Sequence, residues 1–135
     1  MIIERKITII KARKKADLNI NEELLWIGNS LGLFQKRDKD KSCYRIFLEL
    51  IKNKRGVSSD ELAYKLGLTR ATIIHHLKNL MKAGIVVEES NKYFLRVDTL
   101  KGVVEELKRD IENILDDIEK IASHVDEVLS KERKL

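Results

Sequence analysis

A chain of 135 residues, 43% hydrophobic and 36% charged, has room for one compact domain with a small core and an appendage. A net charge of +5 and a pI near 9.3 suit a polyanionic partner. The lone cysteine, Cys43, excludes an internal disulfide and points to a reducing cytoplasm. The apolar runs are too short to span a bilayer or to form a secretory signal. There is no proline and a single glutamine, Gln35, against many Lys, Glu and Ile. That bias resembles hyperthermophile proteins and suggests an archaeon-like source.

Residues 1–41 form a first region. Residues 1–20 carry a net +4, and Ile7–Ile10 predicts a short strand. This segment is either a basic arm reaching DNA or, the plainer reading, an extra strand or helix on a dimer surface with solvated lysines. Asn19 or Asn21 caps a helix running to about Leu33, with Leu24, Leu25, Ile27, Leu31 and Phe34 as its apolar residues. Gly28 and Gly32 each cost such a helix roughly 1 kcal/mol relative to Ala, or permit close packing. Trp26, the only tryptophan, is expected as a core or dimer-interface anchor. Residues 35–41 (QKRDKDK) are a polar link.

Residues 42–97 form the second region. A helix over about 42–54 has Tyr44, Phe47, Leu48 and Ile51 as its core stripe, with Ile46 and Leu50 alongside. Residues 36–55 carry +5, but Lys52, Lys54 and Arg55 are also favoured simply by the negative end of that helix. Then come two short amphipathic helices. The first is capped by Ser58 or Ser59, has Asp60 and Glu61 in its first turn, and presents Leu62, Ala63 and Leu66 on one face. Gly67 ends it and Thr69 caps the next, whose inner stripe is Ile73, Leu77, Leu80 and Ala83. Two short helices joined by Gly67-Leu68-Thr69 are a helix-turn-helix signature, whose second helix enters a major groove. Gly84 stops that helix. A hairpin follows over 85–97, with Ile85 and Val87, then Tyr93, Leu95 and Val97, on the inner face, and Glu89-Ser90-Asn91 as its turn.

Glu61-Leu62-Ala63, Leu66-Gly67-Leu68-Thr69, His76-Leu77, Leu80 and Ala83-Gly84-Ile85-Val86, with a wing at Tyr93-Phe94-Leu95, carry a resemblance. The stretch over about 42–97 resembles the winged helix-turn-helix of the ArsR-type transcriptional repressors and their archaeal relatives. The core pattern is shared by several repressor families. The resemblance implies DNA contacts at Arg70, Thr72, Ile74, His75 and Lys78. Ile74 departs from the polar residue usual there; it can meet a thymine methyl or signal that another surface is used. Asn79 also faces outward on that helix, and Arg and Asn are the side chains suited to guanine and adenine edges. Lys78 and Lys82 suit phosphates. The wing's cations are Lys92 and Arg96, with Glu88 and Glu89 beside them, which weakens the case for phosphate contact by the wing.

Residues 98–135 form the third region, one long helix to about Lys131 capped by Asp98 or Thr99. Leu100, Val104, Leu107, Ile111, Ile114, Ile118, Ile121, Val125 and Val128 recur at alternating spacings of 4 and 3. Such a heptad seam is the pattern of helix–helix association, and Leu115, Ala122 and Leu129 widen it. A domain this small cannot cover it, so a homodimer is expected, with parallel and antiparallel packing both open. This region carries −4, which leaves the basic face in the rest of the chain.

Metal chemistry is not expected. His75 and His76 are adjacent and point about 100° apart on a helix. His124 and Glu127 match half of a zinc site that some relatives of the resembled family carry. Ile111 and Asn113 stand where the other half would be, and the cysteine pair of the arsenic and cadmium sensors is absent. Cys43, in a helix beside Tyr44 and Phe47, reads as an ordinary buried thiol. No nucleophile–base pair, carboxylate dyad or glycine-rich phosphate loop is present, so no enzymatic activity and no cofactor are expected, and no small-molecule effector is indicated. The fold expected is mainly α (α+β): a winged helix-turn-helix with a small β-hairpin wing and a long C-terminal dimerisation helix. The function expected is that of a homodimeric, sequence-specific regulator of transcription bound to double-stranded DNA, most simply a repressor, in the cytoplasm. The alternatives are a low-specificity architectural protein and a winged-helix adaptor that binds protein.

Overall fold

A computed structural model describes residues 1–35, 38 and 40–133. The expected cations Lys36, Arg37 and Lys39 of the polar link lie outside the described residues. The chain divides into two units, 1–103 and 104–135. It is mainly helical, with a two-stranded antiparallel hairpin and a long C-terminal helix, which is the architecture of a winged helix-turn-helix.

In the first unit, α1 spans Ile20–Ser30. Asn19 is its cap: Asn19 Oδ1 accepts from the Glu22 N–H at 2.8 Å, and the Glu22 carboxylate accepts from the Asn19 N–H at 3.4 Å. This reciprocal box satisfies two otherwise orphaned donors. The helix stops at Ser30, short of the expected Leu33. Gly28 does permit close packing, since a Cβ there would fall 1.9 Å from the Phe34 ring. Phe34 in turn meets Tyr44 and Phe47 edge-on, with ring centroids 5.6 and 6.0 Å away.

Helix α2 (Ser42–Lys52) is the centre of the unit, packed against α3, α4 and β2. Its start has no side-chain cap at Lys41. Instead the Asp38 carboxylate accepts from the Ser42 and Cys43 N–H groups at 3.1 and 2.9 Å, and Asp40 accepts from the Ser42 hydroxyl at 2.5 Å. Asp38 and Asp40 of the expected polar link therefore cap a helix. The buried stripe is also rotated from the expected one. Cys43, Ile46, Phe47 and Leu50 are buried, while Tyr44, Leu48 and Ile51 are half-buried flanks. Both sets fit a helical period; the three elements packed on α2 decide between them.

Helices α3 (Ser59–Leu66) and α4 (Arg70–Lys82) follow. Ser58 Oγ caps α3 through the Glu61 N–H at 3.1 Å, and Thr69 Oγ1 caps α4 through the Thr72 N–H at 3.2 Å. Between them Gly67 is left-handed at φ 65°. The Arg45 guanidinium of α2 donates to the Leu66 carbonyl at the end of α3, and Lys65 pairs with Glu49 of α2 at 3.1 Å. The helix pair is thus tied to α2 by polar groups as well as by Leu62, Ile73, Leu77 and Leu80, all buried.

Strands β1 (Val86–Glu89) and β2 (Lys92–Leu95) pair with Val86 opposite Leu95 and Glu89 opposite Lys92. Ser90 and Asn91 both have positive φ, the conformation of a tight two-residue hairpin turn. Val87 faces solvent at 40% exposure and Val86 faces inward at 2%, the reverse of the expected alternation. The reason is local: Ile85 is still held by the end of α4, its N–H donating to the Leu80 carbonyl at 3.0 Å, so the strand phase begins one residue later. Val57 adds a third short rung by exchanging backbone bonds with Tyr93 at 2.8 and 3.0 Å. The expected strand at Ile7–Ile10 does not form. That segment is extended, but helix ends lie beside it rather than a strand, and it pairs through Lys6 and Ile10 with the carbonyls of Lys82 and Ser30.

Helix α5 (Leu100–Arg133) begins with Thr99 Oγ1 accepting from the Gly102 N–H at 3.0 Å, which chooses Thr99 over Asp98 as the cap. Its part in the second unit is a single helix, with Arg109 and Glu106 paired at 2.8 Å. At 1.5 Å per residue, α5 is roughly 50 Å long.

Candidate nucleic-acid interface

One side of α4 is fixed by burial. With Ile73, Leu77 and Leu80 inside, the helix turns Arg70, His75, Lys78, Asn79 and Lys82 to solvent. No carboxylate occurs anywhere along α4, so its surface is a cationic ridge. The positive end of the helix dipole adds to Arg70 at its first turn. Arg70 Nε lies 3.9 Å from Asp60 of α3; both groups are exposed, so this pair is weak and leaves the guanidinium available. Asn79 Nδ2 and His75 Nε2 lie 3.5 Å apart on successive turns.

Two of the expected contacts sit differently from the rest. Thr72 is half-buried, and its hydroxyl bonds Thr69 at 2.8 Å within the cap of α4. Ile74 is half-buried on the shoulder of the ridge. His76 is half-buried as well. Burial pushes its pKa down, against a partial upward pull from Asp38 and Asp40.

The hairpin is separate in character. Lys92 is exposed opposite Glu89, and Arg96 is half-buried with its N–H donating to the Ile85 carbonyl at 2.8 Å. Burial and the neighbouring Glu88 carboxylate raise the Tyr93 phenol. Cys43 is buried, and burial with the nearby Asp38 charge pushes its thiol up to about 12, far from the reactive thiolate range.

A basic arm over residues 1–20 is among the expectations above, but the place of Arg5 and Lys6 on α4 and the exposure of Tyr64 escaped the sequence reading. Arg5 Nη1 donates to the Met81 carbonyl at 3.2 Å, and Lys6 follows it along the end of the helix. No local periodicity signals a contact across so many residues. Tyr64 of α3 is 94% exposed. Its position off the Leu62–Leu66 face was a readable signal.

The residues expected to dimerise divide by position. Trp26 and Leu100 are half-buried, and the Trp26 indole N–H is buried with no acceptor among the described residues. Leu107 is 2% exposed within the single chain, as is its unpredicted neighbour Val103 at 1%, and Ile111 is half-buried. Val104, Ile114, Ile118, Ile121, Val125 and Val128 are exposed, with Leu115 and Leu129 beside them.

Among the described residues no helix is long and apolar enough to cross a membrane. No curated protein and no solved structure matches the chain. The family model of a helix-turn-helix domain matches residues 40–89, from the start of α2 to the end of β1. That match covers the α3–α4 pair and does not single out the ArsR type; at its level, residues 40–89 are similar to a helix-turn-helix domain.

Proposed function

We propose that this chain is a sequence-specific, double-stranded DNA-binding regulator of transcription that acts as a homodimer, most simply as a repressor that occludes a promoter. The observation that carries the reading is the carboxylate-free outer face of α4, held rigidly in a helix-turn-helix. Arg70, His75 and Asn79 are the base-edge readers, with Thr72 and Ile74 at the margin of the contact. Lys78 and Lys82 take phosphates, and Lys92 and Arg96 make the minor contribution of the wing. The cations of residues 1–15 and 41–55 add to the phosphate contact.

The exposed stripe of α5 supports the homodimer. Isoleucines and valines in heptad register along a charged helix are the pattern of a helix pair, and a contiguous apolar stripe of this length is unusual on a monomer. In the dimer the two α4 helices enter successive major grooves about 34 Å apart on one side of the duplex.

Binding to a pool of genomic fragments, read at two salt concentrations, tests this. Enrichment of a few inverted-repeat sites that survives the higher salt is the expected result. Uniform binding that collapses with salt would leave only the phosphate term and favour an architectural protein. No binding at either salt would favour the protein adaptor, for which exposed Tyr64 and the acidic Glu88-Glu89 edge are the suggestive features.

A further inference from the structure

The C-terminal end of α4 gathers cations from two distant parts of the sequence. The N-terminal arm crosses it in extended conformation, with the Lys6 N–H donating to the Lys82 carbonyl at 3.0 Å and Arg5 Nη1 to the Met81 carbonyl at 3.2 Å. Gly84, left-handed at φ 81°, leaves room for this approach: a Cβ there would sit 2.9 Å from Arg5 Nη1 and would push that side chain aside. Four residues further along, the Ile10 N–H donates to the Ser30 carbonyl at the end of α1 at 2.8 Å. The arm is therefore a strap across two helix ends.

Under the strap, between the arm, the segment after α1 and α4, lies a cleft of about 150 Å³. Its polar lining is Lys6, Thr8, Gln35, Asn79 and Lys82, over a floor of leucines, and no carboxylate contributes to it. Among the described residues, neither Lys6 nor Lys82 has a carboxylate within ion-pair distance. The C-terminal end of a helix ordinarily repels anions, because its last carbonyls are unsatisfied. Here the strap covers two of those carbonyls, Met81 and Lys82, with a guanidinium and an N–H. These two donors offset part of the negative end of the helix dipole. The cleft brings two lysines together with no carboxylate in its lining, and a bound anion relieves the repulsion between their charges.

We propose that this cleft is an oxyanion site. A phosphate or carboxylate group sits between the Lys6 and Lys82 ammonium groups and accepts hydrogen bonds from Thr8, Gln35 and Asn79. The volume suits a group of benzene size and not a whole nucleotide. The oxyanion comes either from a DNA backbone phosphate or from a small free anion. Asn79 and Lys82 belong also to the outer row of α4, so a free anion in the cleft competes with a duplex for the same groups. The site goes beyond the regulator reading and stands without it, because an oxyanion can be bound in the absence of DNA.

The test is a titration of the isotopically labelled full chain with inorganic phosphate at constant ionic strength, with chloride as the control, read from backbone amide resonances. Saturable shifts at Lys6, Thr8, Asn79 and Lys82 are expected. Lys6→Gln and Lys82→Gln are each expected to weaken phosphate about tenfold, the loss of one charge-assisted hydrogen bond. Lys6→Gln keeps the strap in place, because the strap is tied there by the backbone N–H, and an otherwise unchanged spectrum verifies the fold. A short duplex that moves the same four amides and is displaced by phosphate identifies the backbone as the source. A duplex that leaves them unmoved while phosphate saturates them identifies a free anion. Absence of saturable shifts with phosphate, or shifts that both glutamine variants retain, would overturn the proposal.

Discussion

Helices α4 and α5 are both amphipathic, and they resolve that property in opposite ways. Helix α4 buries Ile73, Leu77 and Leu80 within its own chain and shows solvent a polar, cationic face. Helix α5 buries Val103 and Leu107 near its start and then leaves its isoleucines and valines in water, Ile121 at 66% exposure. A finished surface such as that of α4 is ready to meet a polar partner. An unfinished one such as that of α5 calls for an apolar partner. The same helical spacing thus has two outcomes, a stripe buried within the first unit in α4 and an exposed one along most of α5.

The sharpest way to break the comparison is to empty each stripe in turn. Leu77→Ala removes a fully buried side chain and is expected to cost about 2–5 kcal/mol in urea unfolding, enough to threaten the fold of the first unit. Ile118→Asp with Ile121→Asp places two charges on the exposed stripe. Sedimentation is expected to show the wild type as a dimer and this variant as a monomer, with the helix-turn-helix unit still folded. A variant that sediments like the wild type would show that α5 is not the dimer contact.

The cationic face is next in size. Arg70→Ala is expected to cost about 1–3 kcal/mol on a selected site and little on random DNA, measured by competition binding. Equal losses on both would remove Arg70 from base reading. Lys78→Ala is expected to weaken every sequence alike and to lower the salt slope by about 1.

The smallest effect expected is a pH dependence from His76. Burial holds its pKa below the ordinary value of 6.5, so the unfolded chain binds this proton more readily than the folded one. The stabilisation from its neutral form is complete above about 6.5 and declines as pH falls from there toward the folded value. Urea midpoints at pH 7.5 and 5.5 in wild type and His76→Gln check this. The variant is expected to lose that part of the decline.

The contrast between the two helices also explains what could be read without coordinates. The α3–α4 pair was readable in detail because its signals are local: Ser58 and Thr69 cap, Gly67 turns, and the inner stripe has one possible period. The α5 stripe was readable for the same reason. Misreadings occurred where a neighbour distant in sequence decides. The stripe of α2 shifted because three elements pack on that helix. The phase of β1 moved one residue because Ile85 closes the end of α4, while Tyr93 in β2 faces inward as expected. Asp38 and Asp40, which read as solvated link residues, cap α2. On α4, the exposure of Arg70, His75, Lys78 and Asn79 followed from the helix period, but the strap of Arg5 and Lys6 did not, since nothing near residue 5 in the sequence signals Met81.

The way the elements of the first unit meet has a further consequence, in time rather than in space. Helix α2 packs on the two helices that follow it, α4 on the strand that follows it, and the hairpin closes through two residues. Such near-neighbour contacts close short loops and favour fast folding. The chain also has no proline, so no slow prolyl isomerisation delays it. Refolding of the α2–α4 core should therefore be complete early. Any slow phase that quickens with protein concentration would then be the clock of two chains meeting along α5.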